Sequence, residues 1–308
     1  MIKVEGLSKT YGRRTALDDV SFEVPQGEIF GFVGPNGAGK TTTLRILAAL
    51  LEPTGGRAFV DGADVVQHPD HVHDRLGYMP DFFGVYDQLT AAEYLDFYAA
   101  CYRLHRSRRQ KIADDLLQLV GLADRRDQSV DTLSRGMKQR LCLARSLVHD
   151  PAVLLLDEPA SGLDPRARVE MREILKELQQ MGKTILISSH ILPELTELCT
   201  MIGIIDRGRM RVTGRVDEVI RRLTAGRRLR ITVLGQREEA IALLRGLPSI
   251  QQVDVQNGDL LSAFTGDEAT AAAILQALIA AGIKVSSFSQ LEGGLEDAFL
   301  KATSEDIG

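Results

Sequence analysis

The sequence predicts an α/β domain with a largely parallel sheet over residues 1–222, followed by a small α+β domain over residues 226–308. Three observations predict it. Strand-like apolar runs alternate with long helical patterns up to about residue 222. The interior stretch from about 82 to 150 holds helical patterns and no convincing strand, as a helical insertion would. Beyond TAGRR (224–228) the character changes and a shorter series of strands and helices begins.

In chain order, EIFGFVG (28–34) is an apolar strand running into a glycine-rich loop, and KTTTLRILAALL (40–51) is the helix that follows it. Three helical patterns fill the insertion: AAEYLDFYAACYRL, SRRQKIADDLLQLVG and RGMKQRLCLARSLV. AVLLLDE, TILISS and MIGIID then read as buried strands, since continuous apolar runs of this length suit a sheet covered on both faces. The second domain reads as strand 228–235, helix 237–247, strands 250–257 and 259–265, helix 267–282 and strand 284–290. That β-α-β-β-α-β order is the ferredoxin-like arrangement. Asn257-Gly258 between its two central strands is a strong hairpin signal, because both residues accept positive φ.

Bulk properties narrow the function. A chain of 308 residues, 44% hydrophobic and 26% charged, can bury a substantial core. Its net charge of -5 argues against non-specific nucleic-acid binding, so no nucleic-acid partner is expected. Three widely spaced cysteines fit neither a disulfide framework nor a zinc cluster, which points to a reducing compartment. The N-terminus lacks the apolar core of a signal peptide. No apolar run reaches the roughly 18 residues of a membrane span, and ATAAAILQALIAAGI (269–283) reads better as a helix on a sheet.

The chemistry concentrates in a few motifs. GPNGAGKTT (34–42) satisfies G-x-x-x-x-G-K-[ST] between a strand and a helix, the context that makes the pattern a phosphate cradle. The loop of Gly34, Pro35, Asn36, Gly37, Ala38 and Gly39 wraps the phosphates, its glycines letting the backbone turn N–H groups inward. Lys40 reaches the β/γ oxygens, Thr41 offers a hydroxyl to magnesium, and Thr42 completes the turn. The strand AVLLLDE ends in two acids: Asp157 to order the metal shell, and Glu158 to polarise the attacking water. LSRGMKQR (133–140) places a hydroxyl at Ser134 and an open backbone at Gly136 at the start of a helix, a second place suited to an anion.

These residues together resemble the ATP-binding cassette (ABC) family, whose signature motif likewise follows a helical subdomain and precedes the acidic strand. The resemblance covers residues 2–222 and implies a P-loop NTPase of the ABC ATPase type. It further implies that Ser134 and Gly136 serve the γ-phosphate held by a second copy, so that one cassette per chain forms a homodimer. Tyr11 matches the aromatic that stacks on adenine, SGLDP (161–165) matches the D-loop, and His190 matches the switch histidine. Two positions depart from the pattern. Arg135 replaces a glycine of the signature, which is tolerable if its side chain points to solvent. Asp81, in GYMPDFF, stands where the family has a glutamine, and a carboxylate there can ligate magnesium directly or through water.

The expected catalytic residues are therefore Glu158, His190 and Lys40, the expected metal ligands Thr41, Asp81 and Asp157, and the expected cofactors ATP and Mg2+. The aromatics of DFFGVYDQLTAAEYLDFY suit either a surface for membrane subunits or ordinary helical core. LEDAFL (295–300) resembles the end of cassettes that work with ABC-2-type export permeases. The resemblance thus implies the ATPase subunit of an exporter, peripheral on the cytoplasmic face of the membrane through a separate permease. A cassette driving a non-transport machine, and a nucleotide-gated module with low turnover, stay open on the residues alone. The second domain has no phosphate motif; regulation, dimer contact and a packing lid are equally open for it.

Overall fold

The computed structural model describes residues 1–81, 84, 88–223, 227–256, 258–264 and 268–291. They divide into two compact units, Met1–Val216 and Asp217–Gly308.

The first unit opens with β1 (Ile2–Tyr11) and β2 (Arg14–Val24), an antiparallel hairpin. Ile2, Val4 and Leu7 on one strand and Leu17, Val20, Phe22 and Val24 on the other point into the core, with polar residues between them. β3 (Ile29–Val33) is buried along its whole length and leads through the glycine-rich loop into α1 (Lys40–Leu47). β4 (Gly55–Val60) and β5 (Ala63–Asp64) extend the hairpin into a four-stranded antiparallel sheet of order β2-β1-β4-β5. That sheet is not evident from the apolar runs, because its strands bury only alternate residues.

α2 (Pro69–Arg75) and β6 (Leu76–Met79) precede the helical stretch. There α3 (Ala91–Cys101) starts at a capping box: the Thr90 hydroxyl accepts from the Glu93 N–H at 3.3 Å, and the Glu93 carboxylate accepts from the Thr90 N–H at 2.9 Å. α4 (Arg106–Leu119) and α5 (Arg135–Ser146) complete it. β7 (Val153–Asp157), α6 (Pro165–Gln180), β8 (Thr184–Ser189), α7 (Leu192–Thr196), β9 (Met201–Asp206), β10 (Arg209–Arg215) and α8 (Val216–Leu223) follow.

The second sheet has the order β10-β9-β3-β8-β7-β6, parallel except for β10. β3, β7 and β8 are buried at every residue, so the sheet is covered on both faces as a parallel sheet must be. Between the two sheets, Leu44, Ile46 and Leu47 of α1 join one core with Ala58 and Val60 of β4 and Val153 and Leu155 of β7. The ends of β3, β6, β7 and β8 open toward one edge, the place where α/β sheets of this kind hold ligands.

The second unit begins within α8 and contains β11 (Arg227–Val233), α9 (Arg237–Arg245), β12 (Ile250–Gln256), β13 (Asp259–Phe264), α10 (Glu268–Ala280) and β14 (Val285–Leu291). The sheet is antiparallel throughout with order β12-β13-β11-β14, which realises the expected β-α-β-β-α-β order. Gln256 pairs with Asp259 around the expected hairpin, where Gly258 has φ 93° and Asn257 lies outside the described residues. Leu229, Ile231, Leu244, Phe264, Ile274 and Leu278 form its core. Among the described residues no helix is long and apolar enough to cross a membrane. LEDAFL, and Phe82, Phe83 and Tyr86 of the aromatic stretch, lie outside the described residues.

Candidate active site

The loop from Gly34 to Gly39 turns back so that its backbone faces the start of α1. Gly39 adopts φ 112°, and a Cβ built on it would lie 2.6 Å from Leu17 Cδ2 and 2.8 Å from the Ala16 carbonyl oxygen, so only glycine fits. Pro35, Asn36 and Gly37 are exposed, while Gly34, Ala38 and Gly39 are buried. Lys40 is 6% exposed and donates to the Gly34 carbonyl at 2.6 Å and the Pro35 carbonyl at 3.3 Å. Its ammonium also stands 3.4 Å from Glu158 Oε1.

β7 and β8 deliver the acids and the histidine. They are neighbours in the sheet, with Asp157 beside Ser188 in register. The Ser188 hydroxyl donates to Asp157 Oδ1 at 2.6 Å and accepts the Glu158 N–H at 3.0 Å, so one side chain orients both acids. Glu158 adopts φ 50°, a region that bulky residues occupy only when their surroundings hold them there. His190, one residue past β8, brings Nδ1 to 2.9 Å from Glu158 Oε2. Ser188 was not singled out by its sequence; the only signal for it is its position two residues before His190 on a strand adjoining the acidic one.

Asp157 Oδ2 is buried and has no hydrogen-bond partner. A free carboxylate oxygen held in place by its bonded twin fits a hard divalent cation, which takes oxygen ligands. Among the described residues no group of three or more His, Cys, Asp or Glu is arranged to hold a metal by itself. Magnesium in nucleotide sites is commonly bound by one or two carboxylates together with substrate phosphates and water.

A cleft of ≈ 360 Å³ gathers Tyr11, Asn36, Gly37, Gly39, Lys40, Thr41, Thr42, Asp81 and Glu158 on its walls, with Arg14 and Ala16 among them. The structure thus brings Tyr11, at the end of β1, and Asp81, just past β6, to the same cavity as the phosphate loop. His190 lies on a separate cavity of ≈ 200 Å³ on the other side of Glu158.

Ser134 and Gly136 are elsewhere. They line a third cavity, with Gly162 and Asp164, at the start of α5. The Ser134 hydroxyl caps α5 by accepting the Met137 N–H at 3.3 Å, and Gln139 of the same helix donates to the Ser161 carbonyl at 3.1 Å. The signature and D-loop segments are therefore one surface. Arg135 is exposed, but its guanidinium folds over Gly162, where a built Cβ would lie 2.5 Å from Cζ. Sequence spacing gives no warning of that contact, because the two residues lie on different elements.

A family model described as "ABC transporter" matches residues 17–161, and one described as "ATP-binding protein DrrA1-3-like, C-terminal domain" matches residues 214–303. The chain is 32% identical to the linearmycin resistance ATP-binding protein LnrL of Bacillus subtilis, over 100% of this chain and 99% of that protein. It is 36% identical to the daunorubicin resistance ATP-binding protein DrrA3 of Streptomyces coeruleorubidus, over 99% and 96% of the two chains. Among solved structures, the dimeric ATP-binding cassette MJ0796 bound to ADP and Pi superposes with a TM-score of 0.64 at 26% identity. The match covers 70% of this chain and 99% of that one.

Proposed function

The chain belongs to the family of ABC transporter ATP-binding proteins, ATPases coupled to transport, and from that premise we propose that it powers export of antibiotic-like compounds through an ABC-2-type permease on separate chains. The observation that carries this reading is similarity along the whole length, C-terminal domain included, to ATP-binding proteins named for linearmycin and daunorubicin resistance. In this reading the chain sits peripherally on the cytoplasmic face of the membrane, attached through the permease.

The residues divide the work as follows. Tyr11 stacks on adenine, and the loop from Gly34 through Thr42 wraps the phosphates with its N–H groups. Lys40 leaves Glu158 to meet the β/γ oxygens. Thr41 and Asp157 would hold magnesium, with Asp81 as a further group directly or through water, and the metal would supply charge neutralisation on the phosphates. Glu158 accepts a proton from the attacking water, and His190, behind it, holds the carboxylate in place. Ser134 and Gly136 complete the site of a second copy, so two chains form two equivalent sites. The dimeric relative bound to ADP and Pi supports that pairing.

The test is co-expression with candidate permeases in a drug-sensitive host. The reading predicts raised tolerance to at least one membrane-active antibiotic or anthracycline, lost when Glu158→Gln is substituted. If no permease confers tolerance while purified chain hydrolyses ATP, export is the wrong coupling.

A further inference from the structure

The nucleotide cleft has a second cation on its wall. Arg14 is the first residue of β2 and pairs directly with Tyr11, the last residue of β1, across a two-residue turn in which Gly12 has φ 57°. Directly opposed residues on paired strands project to the same side of the sheet. Arg14 therefore follows Tyr11 into the cleft. Its guanidinium reaches the phosphate loop: a Cβ built on Gly37 would lie 3.7 Å from an Arg14 terminal nitrogen.

Of the two cations on the cleft wall, Lys40 stands 3.4 Å from Glu158, whereas the Arg14 guanidinium makes no ion pair or hydrogen bond with any described residue. An arginine fork without an acid, held beside the N–H groups of a phosphate cradle, has the geometry and charge for a phosphate oxygen. Two acids on the same wall, Glu158 and Asp81, add to the repulsion a polyphosphate meets there, and a free cation offsets it.

We propose that Arg14 is a further nucleotide-contacting residue, which meets the phosphate chain of ATP from the β1–β2 hairpin while Tyr11 beside it meets the base. The proposal rests on the nucleotide-site reading above. It places base and phosphate recognition side by side on one hairpin, each carried by its own side chain.

Arg13 supplies the control. It carries the same charge one residue away, is exposed at the turn, and does not line the cleft. Binding of ATP, ADP and adenosine to the full chain is to be measured by calorimetry for wild type, Arg14→Ala, Arg14→Lys and Arg13→Ala, at two salt concentrations. Arg14→Ala should weaken ATP about tenfold, the scale of one charge-assisted hydrogen bond. Its affinity for adenosine should be unchanged, its salt dependence shallower, and Arg14→Lys should recover part of the loss. Arg13→Ala should bind like wild type. Equal losses for Arg13→Ala and Arg14→Ala would overturn the proposal in favour of a through-space effect. ATP affinity within twofold of wild type in Arg14→Ala, or an equal loss for adenosine, would also overturn it. A wild-type chain that binds no ATP would instead remove the nucleotide reading itself.

Discussion

His190 holds Glu158 across the ends of two adjacent strands, Nδ1 to Oε2 at 2.9 Å, while Lys40 stands 3.4 Å from the other oxygen of the same carboxylate. Glu158 Oε1 accepts no hydrogen bond and is buried. The carboxylate is thus oriented on one side and free to take a proton on the other, and the lysine beside it is the group a phosphate would draw away.

Glu158→Gln keeps the shape and the His190 contact but removes the base. Hydrolysis should fall about 10²–10⁴-fold, the usual contribution of a positioned base, with ATP affinity nearly unchanged. Phosphate release and nucleotide binding, measured on one preparation, check this; a parallel loss of both would mean that Glu158 holds nucleotide rather than acting on water.

Asp81 shares the nucleotide cleft with Thr41 and Glu158. Asp81→Asn removes a charge at constant size and should weaken the magnesium dependence of turnover more than the affinity for nucleotide. Asp81→Gln should retain activity within about tenfold, a barrier change near 1.4 kcal/mol. Superimposable magnesium titrations for all three proteins would place Asp81 outside the metal shell.

The three cysteines should differ in reactivity. Cys101 is exposed; Cys142 and Cys199 are buried, and burial pushes the Cys142 thiol up to about 11 and the Cys199 thiol higher still. Since the thiolate is the reactive form, one equivalent of Ellman's reagent should be consumed by native protein and three after denaturation. Rapid titration of a second thiol in the native state would contradict the burial of α5 or of the segment before β9.

His149 links α5's trailing end to β6. Its Nε2 lies 3.1 Å from the Leu76 carbonyl, its Nδ1 is buried with no partner, and its ring stacks on Tyr102 at 3.8 Å. Burial lowers its pKa below 6.5, outweighing the Leu76 bond and nearby carboxylates that raise it. Below about pH 6.5 the unfolded chain takes up a proton here that the folded chain refuses, so this residue's contribution is complete above that value and is lost as pH falls. The acid-side fall in Tm should be shallower in His149→Gln, which can still donate to Leu76; identical slopes would contradict this.

The phosphate loop, the two acids that end AVLLLDE and the capping serine of α5 were legible because each is local: a turn, a strand end, a helix start. The continuous apolar strands of the parallel sheet were legible for the same reason. The antiparallel sheet of the first unit was not, since Ile2, Val4 and Leu7 alternate with polar residues and give no apolar run. Arg14 and Ser188 gain their places through register, one opposite Tyr11 and the other beside Asp157, and register is a property of paired strands. Arg135 over Gly162 needs α5 and the turn before α6 to be packed together, which no motif encodes.

Lys40 and Ser134 line separate cavities within a single chain, so in the proposed dimer they share a catalytic site only across two chains. Sedimentation velocity of Glu158→Gln with and without saturating ATP and magnesium tests it most directly. The expected result is a monomer without nucleotide and a stable dimer with it. A chain that binds ATP with full stoichiometry yet sediments only as a monomer would contradict the shared site.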